Sequence, residues 1–324
     1  MLAKRRVIQR NGRELERTPL LVPSFSSKGF SEIKKTIAYC AELIEGPMLI
    51  SAYDLHYKKI EPPFNFASLI FLDSGGYEAS KDSDLSDFGD KEHFPNPWTR
   101  EFYEDQIKSW DPGPSVTSII VSYDHPAERL PIREQIDRAN AMAPAQAEAS
   151  REILLKPEET RQARLQIDSI VQNIHRLADF DIIGVTEKEL GNSILARMRT
   201  IAKIRRALDK AGLEIPIHVF GSLDTITTPM YFLAGADIFD GLTWLRFAFH
   251  EGHTIYKHNY GAFKLGINTP EAVLNGQCWN RNYYYLKGLE GEMRRFLLAD
   301  DYKCFRYHQE EFRSACESVI EAEG

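Results

Sequence analysis

The sequence predicts a single α/β domain folded as a (β/α)8 TIM barrel, and three observations support that fold class. Eight short apolar runs recur up to residue 246, and most are separated by segments with helical character. A polar or glycine-rich residue follows nearly every run, as expected where parallel strands end on one rim. The length of 324 residues is also normal for one such barrel.

The apolar runs define the predicted strands, and the segments between them define the predicted helices. Strands are predicted at residues 19–24, 48–52, 67–72, 118–122, 169–172, 181–185, 217–220 and 236–239. Helices are predicted at residues 30–45, 97–110, 133–149, 158–167, 174–178, 194–211 and 229–234. Residues 79–113 are predicted to be an insertion at one end of the barrel. The barrel should span about residues 19–246, followed by a C-terminal extension over about 247–324 that is helical from about Asn280.

Glycine and proline residues set several boundaries between these elements. Gly46 and Pro47 end the first predicted helix, and Gly212 and Pro216 separate a long amphipathic helix from the seventh strand. That helix carries apolar residues at helical spacing on one face and basic residues on the other. Its apolar face is expected to pack on the barrel.

Composition narrows the class of protein. No apolar run approaches the roughly 18 residues that span a membrane, and no apolar segment follows the basic start, so no signal peptide is expected. The four cysteines show no C-x-x-C spacing, which favours reduced thiols in a cytoplasmic protein. A net charge of −7 argues against a basic nucleic-acid-binding surface over the whole protein. A local basic patch, or a partner that supplies one, stays open.

Three aspartates stand at the ends of predicted strands, namely Asp73, Asp124 and Asp240. If the barrel closes, they can meet in one pocket. Crowded carboxylates separate their pKa values, so one can act as an ionised nucleophile while another holds a proton. That division of roles suits chemistry at an anomeric carbon. The alternative is that each aspartate only caps the helix that follows it.

The loop at residues 73–77 (DSGGY) has a composition suited to a planar ligand. Gly75 and Gly76 permit positive φ and a close approach of backbone N–H groups to that ligand. Tyr77 offers a ring on which a base can stack, and Phe220 at another strand end could cover the opposite face. Alternatively, both rings simply pack within the protein.

Several motifs, taken together, resemble those of the tRNA-guanine transglycosylase family, a (β/α)8 barrel family that exchanges guanine for a 7-deazaguanine base. The first is LDSGGYE around Asp73. The others, in family order, are Ser122-Tyr123-Asp124, Val171-Gln172, Ile183-Gly184-Val185, Val219-Phe220-Gly221 and Ile238-Phe239-Asp240. The stretches 221–223, 228–229 and 239–246 look most like the DNA-modifying branch, which places 7-cyano-7-deazaguanine or a derivative in DNA.

The resemblance implies a role for each motif residue. Asp240 would attack the anomeric carbon and expel guanine, leaving a covalent glycosyl-enzyme, and Asp73 would act as general base for the incoming base. Asp124 and Gln172 would bind the polar edge of the base, since a carboxylate accepts from N1–H and the 2-amino group. The full set of implied base-binding residues is Asp124, Gln172, Tyr77, Phe220, Gly221, Gly184, Val185, Ser74, Gly75 and Gly76.

The chain departs from the tRNA-modifying members after the nucleophile. Those members carry a zinc site of three cysteines and a histidine, whereas only Cys278 lies in this region. No cofactor is therefore expected. The remaining candidates for a structural zinc ion are His250, His253 and His258 together with Cys278. The missing zinc site and the branch likeness together favour DNA over tRNA as the polymer.

Binding a polynucleotide requires cations for its phosphates. The candidates beyond the nucleophile are Arg246, Lys257, Lys264 and Arg281, and those on and before the sixth-strand helix are Lys188, Arg197, Arg199, Lys203, Arg205 and Arg206. A solvated helix face is the favoured explanation for the arginines at 197–206, and Arg246 is the preferred phosphate candidate because it lies six residues past the nucleophile. A guanine in duplex DNA must also be flipped out or its strand opened, a task that a partner protein could perform. Two alternatives stay open. The chain could be a tRNA or free-nucleoside transglycosylase, or a non-catalytic barrel that binds a deazapurine or nucleic acid.

Overall fold

The structure, a computed structural model, describes residues 2–81, 93–142 and 149–321. The strands are β1 (Val7–Arg10), β2 (Arg13–Arg17), β3 (Leu20–Pro23), β4 (Pro47–Ser51), β5 (Leu69–Asp73), β6 (Thr117–Val121), β7 (Ser150–Leu155), β8 (Ile182–Thr186), β9 (Ile217–Phe220), β10 (Ile238–Gly241), β11 (Phe247–His250) and β12 (His253–Tyr256). The helices are α1 (Ile33–Cys40), α2 (Ala52–His56), α3 (Gly76–Ala79), α4 (Arg100–Lys108), α5 (Ile132–Ala141), α6 (Ile167–Gln172), α7 (Glu187–Leu190), α8 (Ile194–Lys210), α9 (Thr227–Leu233), α10 (Thr243–Arg246), α11 (Lys257–Tyr260), α12 (Glu271–Ala299) and α13 (Gln309–Glu321). Short 3-10 segments lie at Ile174–Asp179 and Tyr302–Cys304, and a π-helical turn lies at Gly261–Leu265.

Eight parallel strands form one sheet in the order β3-β10-β9-β8-β7-β6-β5-β4. The two ends of that order meet through a parallel bridge between Ser24 and Leu49. The amide of Phe25 donates to the Leu49 carbonyl at 3.0 Å across the same junction. The sheet therefore closes into a barrel, and the predicted (β/α)8 fold class is confirmed.

Side chains alternate along each barrel strand between the helical layer and the barrel interior. In β10, Phe239 packs in the large cluster shared with the helices, whereas Ile238 belongs to a smaller cluster that contains no helical residues. Asp240 lies two residues beyond Ile238 and so points to the same, interior side. The same alternation turns His218 in β9 and Glu152 in β7 inward. Ionisable side chains thus lie inside a barrel that is otherwise filled by apolar residues.

The predicted fifth strand is wrong. Residues 169–172 belong to α6, and the strand that occupies this place in the barrel is β7, which pairs with β6 and β8. The helix predicted at residues 158–167 is also displaced, because regular helix begins only at Ile167. The consequence for the site is that Gln172 does not lie at a strand end.

The other predicted barrel strands agree with the observed strands to within a few residues. The helix predicted at residues 133–149 corresponds to α5, which ends at Ala141. Residues 143–148, and residues 82–92 of the predicted insertion, lie outside the described part of the chain. The described remainder of the insertion contains α4, as predicted.

The C-terminal extension begins with the antiparallel β11–β12 hairpin, and its long helix α12 starts at Glu271, earlier than predicted. Helix α12 packs against β3 and β11, and α13 packs against α8 and α9. In the segments that the structure describes, no helix is both long enough and apolar enough to cross a membrane.

Candidate active site

The three predicted aspartates lie together at the carboxyl end of the barrel. Asp73 is the last residue of β5, Asp124 follows β6, and Asp240 lies in β10. Burial raises the pKa of Asp73 well above its usual value, and the negative charges of Asp124, Glu78 and Asp240 raise it further. Asp73 therefore lies within electrostatic range of both other aspartates. A proton held by Asp73 relieves their repulsion.

The loop after Asp73 is shaped to receive Asp124. Gly75 has φ of +90°, and its amide donates to Asp73 Oδ2 at 3.2 Å. The hydroxyl of Ser74 donates to Asp124 Oδ1, and a side chain at Gly76 would collide with the same carboxylate. In this structure Ser74 and the two glycines therefore hold the carboxylates in place.

Asp240 is held from several sides. Ser24 Oγ donates to Oδ2 at 2.6 Å, and the amide of Gly221 donates to Oδ1 at 3.1 Å. His218 Nε2 also lies 3.2 Å from Oδ1. The residue is 5% exposed, so its carboxylate is buried, yet it accepts two hydrogen bonds and lies beside the His218 ring. Donors fixed in this way suit an ionised carboxylate that must keep one orientation.

His218 and Glu152 were not predicted to be functional, although they form the interior side of the site. His218 Nδ1 lies 2.8 Å from Glu152 Oε1, and both side chains are fully buried. Burial by itself lowers the pKa of His218, but the Glu152 and Asp240 carboxylates outweigh that effect and raise it to about 9. Burial also raises the pKa of Glu152, which the His218 charge opposes. A polar residue two positions before Phe220 in an apolar strand was the available signal for His218.

Gln172, the predicted base-binding amide, is exposed at the end of helix α6 and does not belong to a barrel strand. Lys156 instead follows the carboxyl end of β7. Its Nζ lies 3.6 Å from Asp124 Oδ2 and 3.2 Å from Glu189 Oε2, and it donates to Thr186 Oγ1 at 2.9 Å. Lys156 and Asp124 line one cleft. The strand end therefore offers an ammonium donor where the sequence predicted an amide.

Phe220, one of the two predicted base-stacking rings, packs against His218 inside the barrel. Phe220 stacks on the His218 ring, with centroids 4.0 Å apart and planes at 28°. Gly184 lies beside them, and a Cβ there would come within 2.6 Å of Phe220 and 2.8 Å of Glu152. The side chain of Val185 instead packs in the helical layer. Gly184 is thus required by close packing inside the barrel.

Tyr77 faces two cations. Arg246 Nη2 donates to its hydroxyl at 3.1 Å, and Lys28 Nζ lies 4.4 Å from its ring centroid. The Lys28 ammonium also donates to the carbonyls of Tyr77 and Ser80, at 3.1 and 3.0 Å. Arg246 therefore lies beside the loop that carries Asp73. Lys257 donates to the Leu245 carbonyl at 3.2 Å, which ties it to the start of the C-terminal extension.

The metal-ligand candidates lie in the C-terminal extension. His250 and His253 face each other in the β11–β12 hairpin, and His258 is exposed on α11. Cys278 is buried in α12, where burial raises the pKa of its thiol to about 11. Across residues 2–81, 93–142 and 149–321, no group of three or more His, Cys, Asp or Glu side chains is arranged to hold a metal ion.

A second pair of buried carboxylates lies beneath the Asp73 loop. Asp54 Oδ2 accepts from the Ser27 amide at 2.7 Å, and Glu78 accepts from the Ser26 hydroxyl. Burial raises the pKa of Asp54 to about 6 and that of Glu78 to about 7, and for Glu78 the nearby Asp54 charge adds to the effect. The buried carboxyl groups near Asp73 therefore include Asp54 and Glu78 as well as Asp124 and Asp240.

No model of a known protein family matches this sequence, and no curated protein matches it. The assignment of a function consequently rests on the side chains of the site and on the chemistry that they can perform. The side chains on which a functional assignment depends are those of Asp240, Asp73, Asp124, His218 and Lys156.

Replacing Glu78 by Gln should flatten the pH dependence of stability. The folded-state pKa of Glu78, about 7, exceeds the ordinary value of 4.5. The proton on this group therefore stabilises the folded state fully below pH 4.5, and that stabilisation is lost as the pH rises through 7. With Glu78→Gln, the decrease in unfolding free energy between pH 5 and pH 8 should shrink by on the order of 2 kcal/mol.

Urea unfolding at several pH values would measure this change. Glu134→Gln is a matched control, because Glu134 is exposed on α5 and should leave the pH dependence as in the wild type. An unchanged pH dependence in Glu78→Gln would contradict the raised pKa.

Proposed function

We propose that this protein is a DNA-guanine transglycosylase that exchanges guanine in DNA for a 7-deazaguanine, such as 7-cyano-7-deazaguanine, through a covalent glycosyl-aspartate. The observation that carries the proposal is the setting of Asp240 and Asp73. Donors fix one buried carboxylate, Asp240, while burial and neighbouring charges favour a proton on the other, Asp73. Two carboxyl groups in opposite protonation states are what displacement at an anomeric carbon requires.

In the first half of the reaction, an Asp240 oxygen forms a bond to C1′ while the bond from C1′ to guanine N9 breaks. The electron pair of that bond passes to the leaving base, and Asp73 supplies the proton that the base takes up. In the second half, the incoming base gives a proton to the Asp73 carboxylate and its nitrogen attacks C1′. The ester bond then breaks and Asp240 is regenerated.

Asp124 and Lys156 are complementary to the polar edge of guanine. The Asp124 carboxylate offers acceptors for N1–H and the 2-amino group, and the Lys156 ammonium offers donors for O6. Their side chains line the same cleft and lie 3.6 Å apart, a spacing that suits neighbouring groups on one base edge. Phe220 and Tyr77 supply rings that can stack on the faces of the base. A 7-deazaguanine keeps this polar edge, so one pocket can serve both bases.

DNA is proposed as the polymer because the stretches around Gly221 and Asp240 resemble the DNA-modifying branch and the three-cysteine zinc site is missing. Arg246 beside Tyr77 is the best-placed cation for a phosphate. The net charge of −7 favours a partner protein that helps to open the duplex. The expected surroundings are those of a cytoplasmic enzyme without a cofactor.

The choice among polymers can be tested with guanine-labelled substrates. Purified protein would be incubated with labelled duplex DNA, single-stranded DNA, tRNA or guanosine, each with 7-cyano-7-deazaguanine. We expect label release from DNA and a loss of about 10³-fold or more with Asp240→Asn, because the nucleophile is removed. Asp168→Asn, which replaces an exposed carboxylate on α6, is the control and should retain activity.

Release from tRNA alone would overturn the choice of DNA, and release from guanosine alone would indicate a nucleoside enzyme. Binding of the deazaguanine without release from any substrate would favour a non-catalytic barrel. Wild-type activity in Asp240→Asn would show that the nucleophile is assigned to the wrong residue.

Lys156 and Gln172 form a second test, because Lys156 lines the cleft that contains Asp124, whereas Gln172 is exposed on α6. Lys156→Ala should weaken binding of the 7-deazaguanine about 10–100-fold, the range lost with a hydrogen bond to a charged group. Lys156→Gln keeps an N–H donor and should recover part of the loss. Gln172→Ala should bind as the wild type does, since Gln172 is exposed.

Isothermal titration calorimetry with the free base measures this effect without turnover. Weak binding in Gln172→Ala together with normal binding in Lys156→Ala would contradict the assignment of Lys156.

A further inference from the structure

His218 lies between two carboxylates inside the barrel, and its two ring nitrogens face different ones. Nδ1 is 2.8 Å from Glu152 Oε1, and Nε2 is 3.2 Å from Asp240 Oδ1. The three residues come from β7, β9 and β10. His218 is fully buried, while Glu152 and Asp240 are 1% and 5% exposed. A chain of contacts therefore runs from the Asp240 carboxylate through His218 to Glu152, inside the apolar interior of the barrel.

The protonation state of His218 follows from this placement. Nδ1 is hydrogen-bonded to Glu152, whereas Nε2 lies at ion-pair distance from Asp240 without an aligned hydrogen bond. A neutral imidazole would carry an N–H on only one of these sides, whereas an imidazolium presents an N–H and positive charge to both carboxylates. Aromatic rings occupy other sides of His218, with Phe71 edge-on at 5.2 Å and Phe220 stacked at 4.0 Å between centroids. Among the residues that the structure describes, Glu152 and Asp240 are the ionisable groups that set its charge. A pKa raised to about 9 agrees with a charged ring at neutral pH.

We infer that Glu152 and His218 are positioning residues that fix Asp240 Oδ1, so that Oδ2 is the oxygen that attacks the sugar. Oδ1 is contacted by the Gly221 amide and the His218 ring, whereas Oδ2 is contacted by the rotatable hydroxyl group of Ser24. A hydroxyl can rotate away or keep its bond as Oδ2 becomes an ester oxygen, but a backbone amide and a buried ring cannot. This inference rests on the proposed function, because it assigns the parts of the same nucleophile.

The two oxygens of Asp240 have different roles in each half of the reaction. When the Oδ2–C1′ bond forms and the C1′–N9 bond breaks, Oδ1 becomes the carbonyl oxygen of the ester. The Gly221 amide still donates to it, and the His218 ring stays at ion-pair distance from it. When the incoming base attacks C1′, the Oδ2–C1′ bond breaks and its electron pair returns to the carboxylate. Charge then reappears on Asp240, where the imidazolium stabilises it. Glu152 keeps the imidazolium paired while Asp240 is esterified and uncharged.

The test compares Glu152→Gln, His218→Gln and His218→Phe in the full-length protein. The side-chain amide introduced by Glu152→Gln would still accept from Nδ1–H but would carry no charge, so the pKa of His218 should fall by at least about one unit. Side-chain ¹⁵N spectra of histidine, recorded over a pH series through neutral and alkaline values, measure that pKa without any substrate. The His218 signal is identified as the one absent from His218→Gln.

We expect a charged His218 ring at pH 7 in the wild type and loss of activity as the pH rises above about 9. In Glu152→Gln the alkaline decline in kcat should move to lower pH together with the His218 pKa, with KM for the base little changed. His218→Phe should lose about 10²-fold or more in kcat, and His218→Gln should recover part of it because its amide can donate near the Nε2 position.

Three results would overturn the inference: a neutral His218 at pH 7, a pKa unaffected by Glu152→Gln, or wild-type kcat in His218→Phe. Thermal unfolding of each variant separates a loss of folding from a loss of function, and the pH profile of the folded Glu152→Gln protein decides the matter if His218→Phe does not fold. Failure of the proposed function gives a different pattern. The wild type would then exchange no base on any substrate, although the spectra would still show whether Glu152 controls the charge of His218.

Discussion

The contact that runs from Glu152 through His218 to Asp240 constrains much of the barrel around it. Ionisable groups inside an apolar core are tolerated only when each is paired, and removal of one partner from a buried pair typically destabilises a protein by about 3–5 kcal/mol. The pairing requires β7, β9 and β10 to keep their relative register, because a shift of one residue would turn a charged side chain into the helical layer. Gly184 on β8 provides the space that the pair and Phe220 need.

The mouth of the barrel combines carboxylates that repel one another. Besides burial, the nearby charges of Asp124, Glu78 and Asp240 raise the pKa of Asp73. Lys156 and the Ser74 hydroxyl offset this crowding at Asp124. This crowding favours a proton on Asp73. Such an arrangement is common where a protein needs an acid and a base side by side.

Much of this site could be predicted from the sequence, because three predicted strands are apolar runs followed closely by an aspartate. Asp73 and Asp240 follow apolar runs directly, and Gly75 and Gly76 predict a close approach of the backbone to a planar ligand. In the structure the Asp124 carboxylate occupies the space beside Gly76. The strand β7 could not be predicted in the same way, because an inward-facing glutamate interrupts its apolar pattern.

The strand β7 (SREILL) carries Glu152 toward the barrel interior, so a charged residue interrupts the apolar pattern that identifies a buried strand. The nearby segment IDSIVQ has apolar residues at Ile167 and Ile170, a spacing that fits a short helix as well as a broken strand. A fifth strand predicted at residues 169–172 leaves both Glu152 and Lys156 outside the predicted site. His218 was missed because a histidine between apolar neighbours gives no sign of its partners, which come from β7 and β10.

Mass spectrometry of protein quenched in acid during reaction with DNA tests the role of Asp240 most directly. The proposed mechanism predicts a deoxyribosyl-DNA adduct on the peptide that contains Asp240, with the bond assigned to that side chain by fragmentation. The adduct should disappear when excess 7-cyano-7-deazaguanine is added before the quench. Base exchange that proceeds with no adduct, or with an adduct on another residue, would contradict nucleophilic catalysis by Asp240.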